Sequence, residues 1–183
     1  MKEYNRQLPC HGFTLIELVV VIAIVATLAG VLLNRIWFYQ EQAEKTAMTE
    51  VAAAIQTSLV LQYGRYLARG LEADIPKLAT SNPIHWLAKQ PPNYVGEFYD
   101  PTPHSVAPGH WVFDLKAREL IYVIDHGEYF VPGPNGKKWI RYRVNLVYEQ
   151  VMKAPEKTSK ELAGAVFEPV ETYRWFDNQL QNP

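Results

Sequence analysis

A single carboxylate interrupts a long apolar run near the start of the sequence. Residues 13–33 read FTLIELVVVIAIVATLAGVLL, and Glu17 is the only ionisable residue among them. A helix of about 20 apolar residues spans the hydrocarbon core of a membrane. An acidic residue costs roughly 2.5–3.5 kcal/mol near the middle of such a helix and less near its end, where Glu17 lies. The sequence therefore predicts a function for Glu17 and a cationic partner from outside the run.

The other ionisable residues form no recognisable catalytic or metal-binding pattern. Cys10 is the only cysteine, so no intrachain disulfide is expected. Asp100, Asp114 and Asp125 are possible calcium ligands, but they lack the spacing of an EF-hand loop, and Asp114 and Asp125 suit strand ends or turns. The four histidines after the run have no partner at the spacing of a zinc site: His85, His104, His110 and His126. We expect no catalytic residues, no metal and no cofactor.

The length and composition limit the size of the domain, and the net charge limits the kinds of partner that it can attract. The chain has 183 residues, which leaves room for one modest domain besides a membrane segment. Its 13 prolines indicate substantial loops. Because the formal net charge is -1, the chain has no positive field to attract nucleic acid, and no nucleic-acid partner is expected.

The polar residues before the run predict its orientation in a membrane. Residues 1–12 read MKEYNRQLPCHG, with Lys2 and Arg6 against Glu3. Positive residues favour the cytoplasmic side, so residues 1–12 are expected in the cytoplasm and the domain after residue 33 outside it. An alternative is a secretory signal that is cut after the apolar core, at the small residues near Ala29. That alternative leaves the cost of Glu17 unexplained.

The stretch GFTLIEL, followed by an unbroken apolar helix, resembles the processing signal of type IV pilins and type II secretion pseudopilins. The resemblance rests on the polar leader 1–12, Gly12, Phe13 and Glu17. It implies that a prepilin peptidase in the inner membrane cuts after Gly12 on the cytoplasmic side and methylates the new amine of Phe13. The partners it implies are this peptidase, other pilin or pseudopilin subunits, and an assembly platform with a separate ATPase.

The same resemblance implies a cationic partner for Glu17. Cleavage after Gly12 would create an α-amine on Phe13, one helical turn from the carboxylate, and methylation keeps that amine cationic. The resemblance implies that this acidic residue meets the amine of a neighbouring subunit, which would set the register of assembly. An intramolecular pair and an intermolecular pair are both compatible with the sequence. A third possibility is that Glu17 extends toward the lipid headgroups and has no role in assembly.

Helical periodicity continues beyond the apolar run. Apolar residues recur every fourth position at Ala47, Val51, Ile55, Leu59, Tyr63 and Leu67, with Glu44 among the residues of the other faces. We predict one helix over about 13–68, with 13–33 in the membrane and 34–69 as its outer amphipathic half. Gly70 is the predicted stop signal, and Gly30 is a point where the helix could bend.

The remaining residues predict a connecting loop and a small sheet. Seven prolines between 70 and 109 exclude long regular elements but permit a short helix near 84–89. The resemblance implies that this segment is the αβ-loop of the family. Residues 110–183 hold alternating patterns typical of antiparallel strands with one wet face. Strands are predicted at 111–116, 119–125, 128–131 and 137–148, a loop at 154–160, and an edge strand or strap at 170–176.

The predicted fold is α+β: a long N-terminal helix with a three- or four-stranded antiparallel sheet on its outer half, the ladle of the pilin family. Three functions are compatible with it. The first is a structural subunit of a pseudopilus or pilus. The second is a binding module for DNA or surfaces at a pilus tip, and the third is a membrane-anchored assembly factor or enzyme. We favour the subunit, because the last alternative leaves Glu17 unexplained and the second prefers a basic or aromatic patch. The expected location is the inner membrane, as a single-pass protein with a periplasmic domain that later joins a filament.

Overall fold

The computed structural model describes residues 13–153 and 157–176. The chain divides into two compact units, Met1–Tyr39 and Gln40–Pro183. The first contains the N-terminal part of the long helix α1, Leu15–Ala68. The described residues of the second contain the rest of α1, two 3-10 helices and seven strands. A long apolar N-terminal helix with a small, mainly antiparallel sheet confirms the predicted α+β class.

Helix α1 ends where Gly70 predicts. Gly70 has a φ of 68°, in the left-handed region that glycine occupies at no steric cost. The N–H of Gly70 donates to the carbonyl of Leu67 at 3.0 Å, and the N–H of Leu71 donates to the carbonyl of Tyr66 at 2.9 Å. The bond from Leu71 back to Tyr66 is typical of a Schellman cap, which satisfies carbonyls at the end of a helix.

The buried face of α1 differs at both ends from the predicted apolar stripe, the series of every fourth residue from Ala47 to Leu67. Ile55 and Leu59 are buried as expected, but Ala47 and Leu67 are exposed. Met48 takes the buried position at one end of the stripe. A repeat of exactly four residues turns about 400° per step in an α-helix of 3.6 residues per turn, so it drifts off one face by about 40° each time. The core-facing residues must therefore shift by one position along the helix.

Within the described residues, five strands form the main sheet: β1 Tyr94–Phe98, β2 Trp111–Asp114, β3 Glu119–Val123, β5 Trp139–Lys153 and β6 Lys157–Pro169. Their order in the sheet is β1-β2-β3-β5-β6. β1 and β2 are parallel, and the other neighbours are antiparallel. A separate antiparallel pair joins β4, Phe130–Val131, to β7, Arg174–Trp175. The two 3-10 helices are Glu72–Ala79 and Pro83–Trp86.

The structure corrects the sequence prediction at two strands. β1 lies inside the segment predicted as a loop, between the prolines at 92 and 101, because the prolines limit its length without entering it. β6 begins at Lys157, inside the predicted loop 154–160, because it pairs with an extension of β5 as far as Lys153. The predicted edge element at 170–176 is β7, which pairs with β4 and not with the main sheet.

Both faces of the sheet are buried at its centre. This corrects the prediction that one face is exposed to solvent. On the face toward α1, Trp111 and Tyr122 pack with their ring centroids 4.9 Å apart, in a core cluster that includes Ile55 and Leu59 of the helix. On the opposite face, Val106 packs on a cluster formed by Val112, Ile121 and Val123. Val106 belongs to the proline-rich segment 99–110, which therefore folds over the sheet and excludes water from it.

Candidate processing and assembly site

Helix α1 begins with a side-chain cap. Thr14 precedes the helix, and its Oγ1 accepts a hydrogen bond from the N–H of Glu17 at 3.3 Å. Its carbonyl accepts from the N–H of Leu18 at 3.1 Å. These are the contacts of an N-cap threonine, which satisfies an N–H group that has no partner within the helix. The Thr-x-x-Glu pattern of a capping box was readable in the sequence, and the sequence analysis missed it.

Phe13 lies directly before this cap. It is not helical and is 69 % exposed. Gly12, the residue after which cleavage is predicted, lies outside the described residues. Because Phe13 precedes the cap, a new amine on it would lie at the N-terminal end of α1, next to the first helical turn.

Glu17 lies in that first turn and is exposed. A carboxylate at this position is stabilised by the partial positive charge of the helix N-terminus. Within the described residues 13–153 and 157–176, the structure contains no ion pair of Glu17. The geometry thus leaves its carboxylate accessible to a cation that comes from another molecule or from a newly made N-terminus.

The first unit presents an apolar surface that its own residues do not cover. Helix α1 is long and apolar enough to cross a membrane, and its most apolar stretch has no buried residue. The large exposed side chains include Leu15, Ile16, Ile22, Val25, Leu28 and Leu33. Exposed apolar area of this extent is unfavourable in water, so lipid or other apolar helices must surround it.

The comparison with protein families agrees with the geometry of the helix start. Residues 8–33 match the family model of the prokaryotic N-terminal methylation motif. The chain carries this motif. The resemblance to pilins and pseudopilins that GFTLIEL predicted is confirmed over these residues. No curated protein and no solved structure matches the chain.

The methylation motif supports a coarse functional assignment. It supports a type IV pilin-like substrate of prepilin peptidase, and it implies assembly with other pilin subunits. The motif therefore points to a structural subunit. Together with the apolar helix, it indicates a single-pass protein that is anchored in a membrane.

In the second unit, a buried carboxylate of α1 forms hydrogen bonds with two distant segments of the chain. Glu41 is only 1 % exposed. Its Oε1 accepts from the N–H of Tyr129 at 2.9 Å and from the indole Nε1 of Trp175 at 2.8 Å, and its Oε2 accepts from the N–H of Glu128 at 3.1 Å. Lys45, one turn further along α1, donates to the carbonyl of Trp175 at 2.9 Å. These bonds fix β4 and β7 to the helix.

A second carboxylate of α1, that of Glu44, accepts hydrogen bonds from the loop between β3 and β4. Glu44 was assigned to a polar face from the sequence, but its side chain is only 8 % exposed. It accepts from the N–H of Asp125 at 2.8 Å, the N–H of His126 at 2.7 Å and the hydroxyl of Tyr122 at 3.0 Å. Burial raises the pKa of Tyr122 far above its usual range, and the nearby Glu44 carboxylate raises it further.

The aspartates considered as calcium ligands have other contacts. Oδ1 of Asp114 accepts from the N–H of Lys116 at 2.8 Å and of Ala117 at 3.2 Å, which is a turn contact. Asp100 forms an ion pair with Lys116 at 2.5 Å. Among residues 13–153 and 157–176, no group of three or more His, Cys, Asp and Glu side chains is arranged to hold a metal. The described part of the chain therefore offers no candidate metal centre.

Proposed function

We propose that this chain is a structural filament subunit, either a pseudopilin of a type II secretion pseudopilus or a minor pilin of a type IV pilus. The observation that supports the proposal most directly is the methylation motif at residues 8–33, joined to a helix whose apolar stretch is entirely exposed. A prepilin peptidase cuts the precursor after Gly12 and methylates the amine of Phe13. The chain itself performs no catalysis.

Assembly transfers the apolar helix from lipid to a protein core. Before assembly the chain resides in the inner membrane, with residues 1–12 in the cytoplasm and the second unit in the periplasm, as the positive residues before the run favour. A platform with a separate ATPase then moves it into the filament. Glu17 pairs with the cationic amine of Phe13 in a neighbouring subunit. An unpaired charge is costly in apolar surroundings, so this pair favours the correct axial register.

The mass of the N-terminal peptide from the protein in its native membrane tests the proposal. The expected result is a peptide that begins with N-methylated Phe13. A peptide that begins at Met1 would show that no peptidase recognises the motif. A peptide that begins near Gly30 would instead show an ordinary secretory signal, and either result would remove the filament assignment.

A further inference from the structure

Aromatic residues follow shortly after the apolar run of α1. Residues 35–39 read RIWFY. Trp37 is 60 % exposed and Tyr39 is 59 % exposed, and the ring of Phe38 packs edge-to-face on that of Tyr39 with centroids 5.6 Å apart. Tryptophan and tyrosine combine an apolar ring with a polar tip, and they are enriched where a membrane meets water. These residues therefore favour a membrane boundary that lies beyond residue 33.

The distance from Glu17 to Trp37 matches the thickness of a membrane. Both residues lie within α1, which is helical without a break between them. An α-helix rises about 1.5 Å per residue, so the 20 residues from Glu17 to Trp37 span about 30 Å. The hydrocarbon core of a bilayer is also about 30 Å thick. When the ring of Trp37 lies at one surface of this core, Glu17 therefore lies at the other.

The polar residues of this part of α1 agree with the same two levels. Along residues 18–33 the only polar side chain is that of Thr27, and its hydroxyl donates to a backbone carbonyl one turn earlier at 2.8 Å. This bond offsets the cost of placing a hydroxyl in lipid. The next polar residues are Asn34 and Arg35, less than one turn before Trp37. A long side chain such as that of arginine extends from this position toward the headgroups.

We propose that Trp37 and Tyr39 lie in the headgroup region at one membrane surface and fix the depth of α1, so that Glu17 lies at the opposite surface. The partner of the two rings is thus the lipid interface itself. The exposed apolar stretch of α1 continues up to these rings on the same helix, so lipid, and not a second protein, is the occupant that this surface fits. The membrane segment then reaches about residue 36 instead of residue 33.

This depth also lowers the cost of the Glu17 charge in lipid. A carboxylate at the edge of the hydrocarbon core reaches the headgroups and water, whereas a carboxylate deeper in the core does not. Glu17 therefore needs no cationic partner while α1 stays in the membrane. The inference requires that α1 crosses a membrane, and it does not depend on cleavage after Gly12.

The reactivity of single cysteines measures the depth of α1 in the full chain, in open fragments of the native membrane, with Cys10→Ser as the background. Leu33→Cys, Ile36→Cys and Ala43→Cys each place a thiol at an exposed position of the helix. A charged, membrane-impermeant maleimide should label Ala43→Cys at least about tenfold faster than the other two, because apolar surroundings disfavour the reactive thiolate. Equally fast labelling of Ile36→Cys would place the boundary before the rings, and protection of Ala43→Cys would place it beyond them. Either result would overturn the proposal.

A second pair of cysteines measures the level of Glu17 at the other surface. Leu15→Cys should be labelled faster than Val21→Cys, because residue 15 lies outside the level of Glu17 and residue 21 lies inside it. Equal protection of the two would place Glu17 within the hydrocarbon core and would contradict the proposal. The N-terminal mass, which tests the filament assignment, is a separate measurement, so the two proposals can fail independently.

Variants of the two rings test whether they fix the depth of α1, with Gln40→Cys as the labelled position. In Trp37→Leu/Tyr39→Leu the apolar run continues without an amphipathic ring, so α1 can move deeper, and labelling at position 40 should slow about fivefold. Trp37→Tyr/Tyr39→Trp exchanges the two rings and keeps both amphipathic, so it should be labelled at the parent rate. Unchanged labelling of the leucine variant would show that the rings do not anchor the helix.

Discussion

The carboxylate of Glu41 accepts a hydrogen bond from the indole Nε1 of Trp175 at 2.8 Å, although the two residues are 134 positions apart in the chain. Both side chains are almost completely buried. The same carboxylate also binds the N–H groups of Glu128 and Tyr129 at the start of β4. One buried charge thus joins the helix, the last strand and the segment before β4 in the second unit.

Removal of this carboxylate should destabilise the second unit. In Glu41→Ala three donors lose their acceptor, one of them the buried indole Nε1 of Trp175, and hydrogen bonds to a charged group contribute about 1.5–3 kcal/mol. We expect the free energy of unfolding to fall by about 3 kcal/mol, measured by denaturant unfolding of the full chain in detergent and monitored by tryptophan fluorescence. Glu50→Ala, an exposed position on the same helix, is the matched control and should change stability by less than about 0.5 kcal/mol. Equal effects of the two changes would show that the Glu41 contacts contribute little.

Alkaline pH should unfold the second unit through two buried tyrosines. Burial raises the pKa of Tyr122 and of Tyr142 far above the usual value of 10.0, with Glu44 and Tyr173 as their respective further causes. Both tyrosines are neutral in the folded and the unfolded chain below pH 10. Above it the unfolded chain loses protons first, so each tyrosine should lower the free energy of unfolding by about 1.4 kcal/mol per pH unit.

Single phenylalanine variants test this pH dependence. Tyr122→Phe and Tyr142→Phe should each make the decline above pH 10 shallower by about 1.4 kcal/mol per pH unit, in denaturant titrations at several pH values. Tyr122→Phe should also cost about 1 kcal/mol at neutral pH, because it removes the hydrogen bond to Glu44. A decline that is equally steep in both variants and in the parent chain would assign the alkaline transition to other groups.

The sequence predicted the helix and the strand pattern because both depend on local periodicity. The end of α1 follows from Gly70, and the predicted strands at 111–116 and 119–125 correspond to β2 and β3. Glu17 stood out because a charge in an apolar run violates a local rule. The start of the helix was also readable in the Thr14–Glu17 pattern, although the sequence analysis did not use it.

The contacts of Glu41 and Glu44 could not be predicted in this way. A glutamate on an amphipathic helix is expected to face solvent. The donors that bind Glu41 and Glu44 instead come from segments 78 or more residues away in the chain. The same reason explains the missed strands. β1 and β6 are defined by pairing with β2 and β5, and a short pattern interrupted by turn residues does not reveal its partner.

Processing should depend on the size of the residue at position 12. We expect Gly12→Phe to leave an uncut precursor that still inserts in the membrane, because the apolar helix that anchors the chain is unchanged. The shift between precursor and mature chain on a denaturing gel, together with the N-terminal mass, measures the cut fraction. Gly30→Ala is the matched control, because an added Cβ at Gly30 meets no atom within 4 Å, and it should be cut normally. Normal cleavage of Gly12→Phe would argue against a prepilin peptidase.

The charge of Glu17 should matter for assembly and not for insertion. Glu17→Gln keeps the size of the side chain and removes the charge, so it should enter the membrane at least as readily as the parent chain. It should also be cut after Gly12, but filaments produced in the native host should contain at least about tenfold less of it, because the register is no longer favoured by an ion pair. Glu17→Asp keeps the charge on a shorter side chain and should assemble better than Glu17→Gln. If Glu17→Gln enters filaments as well as the parent chain, the carboxylate has no role in register and only extends toward the headgroups.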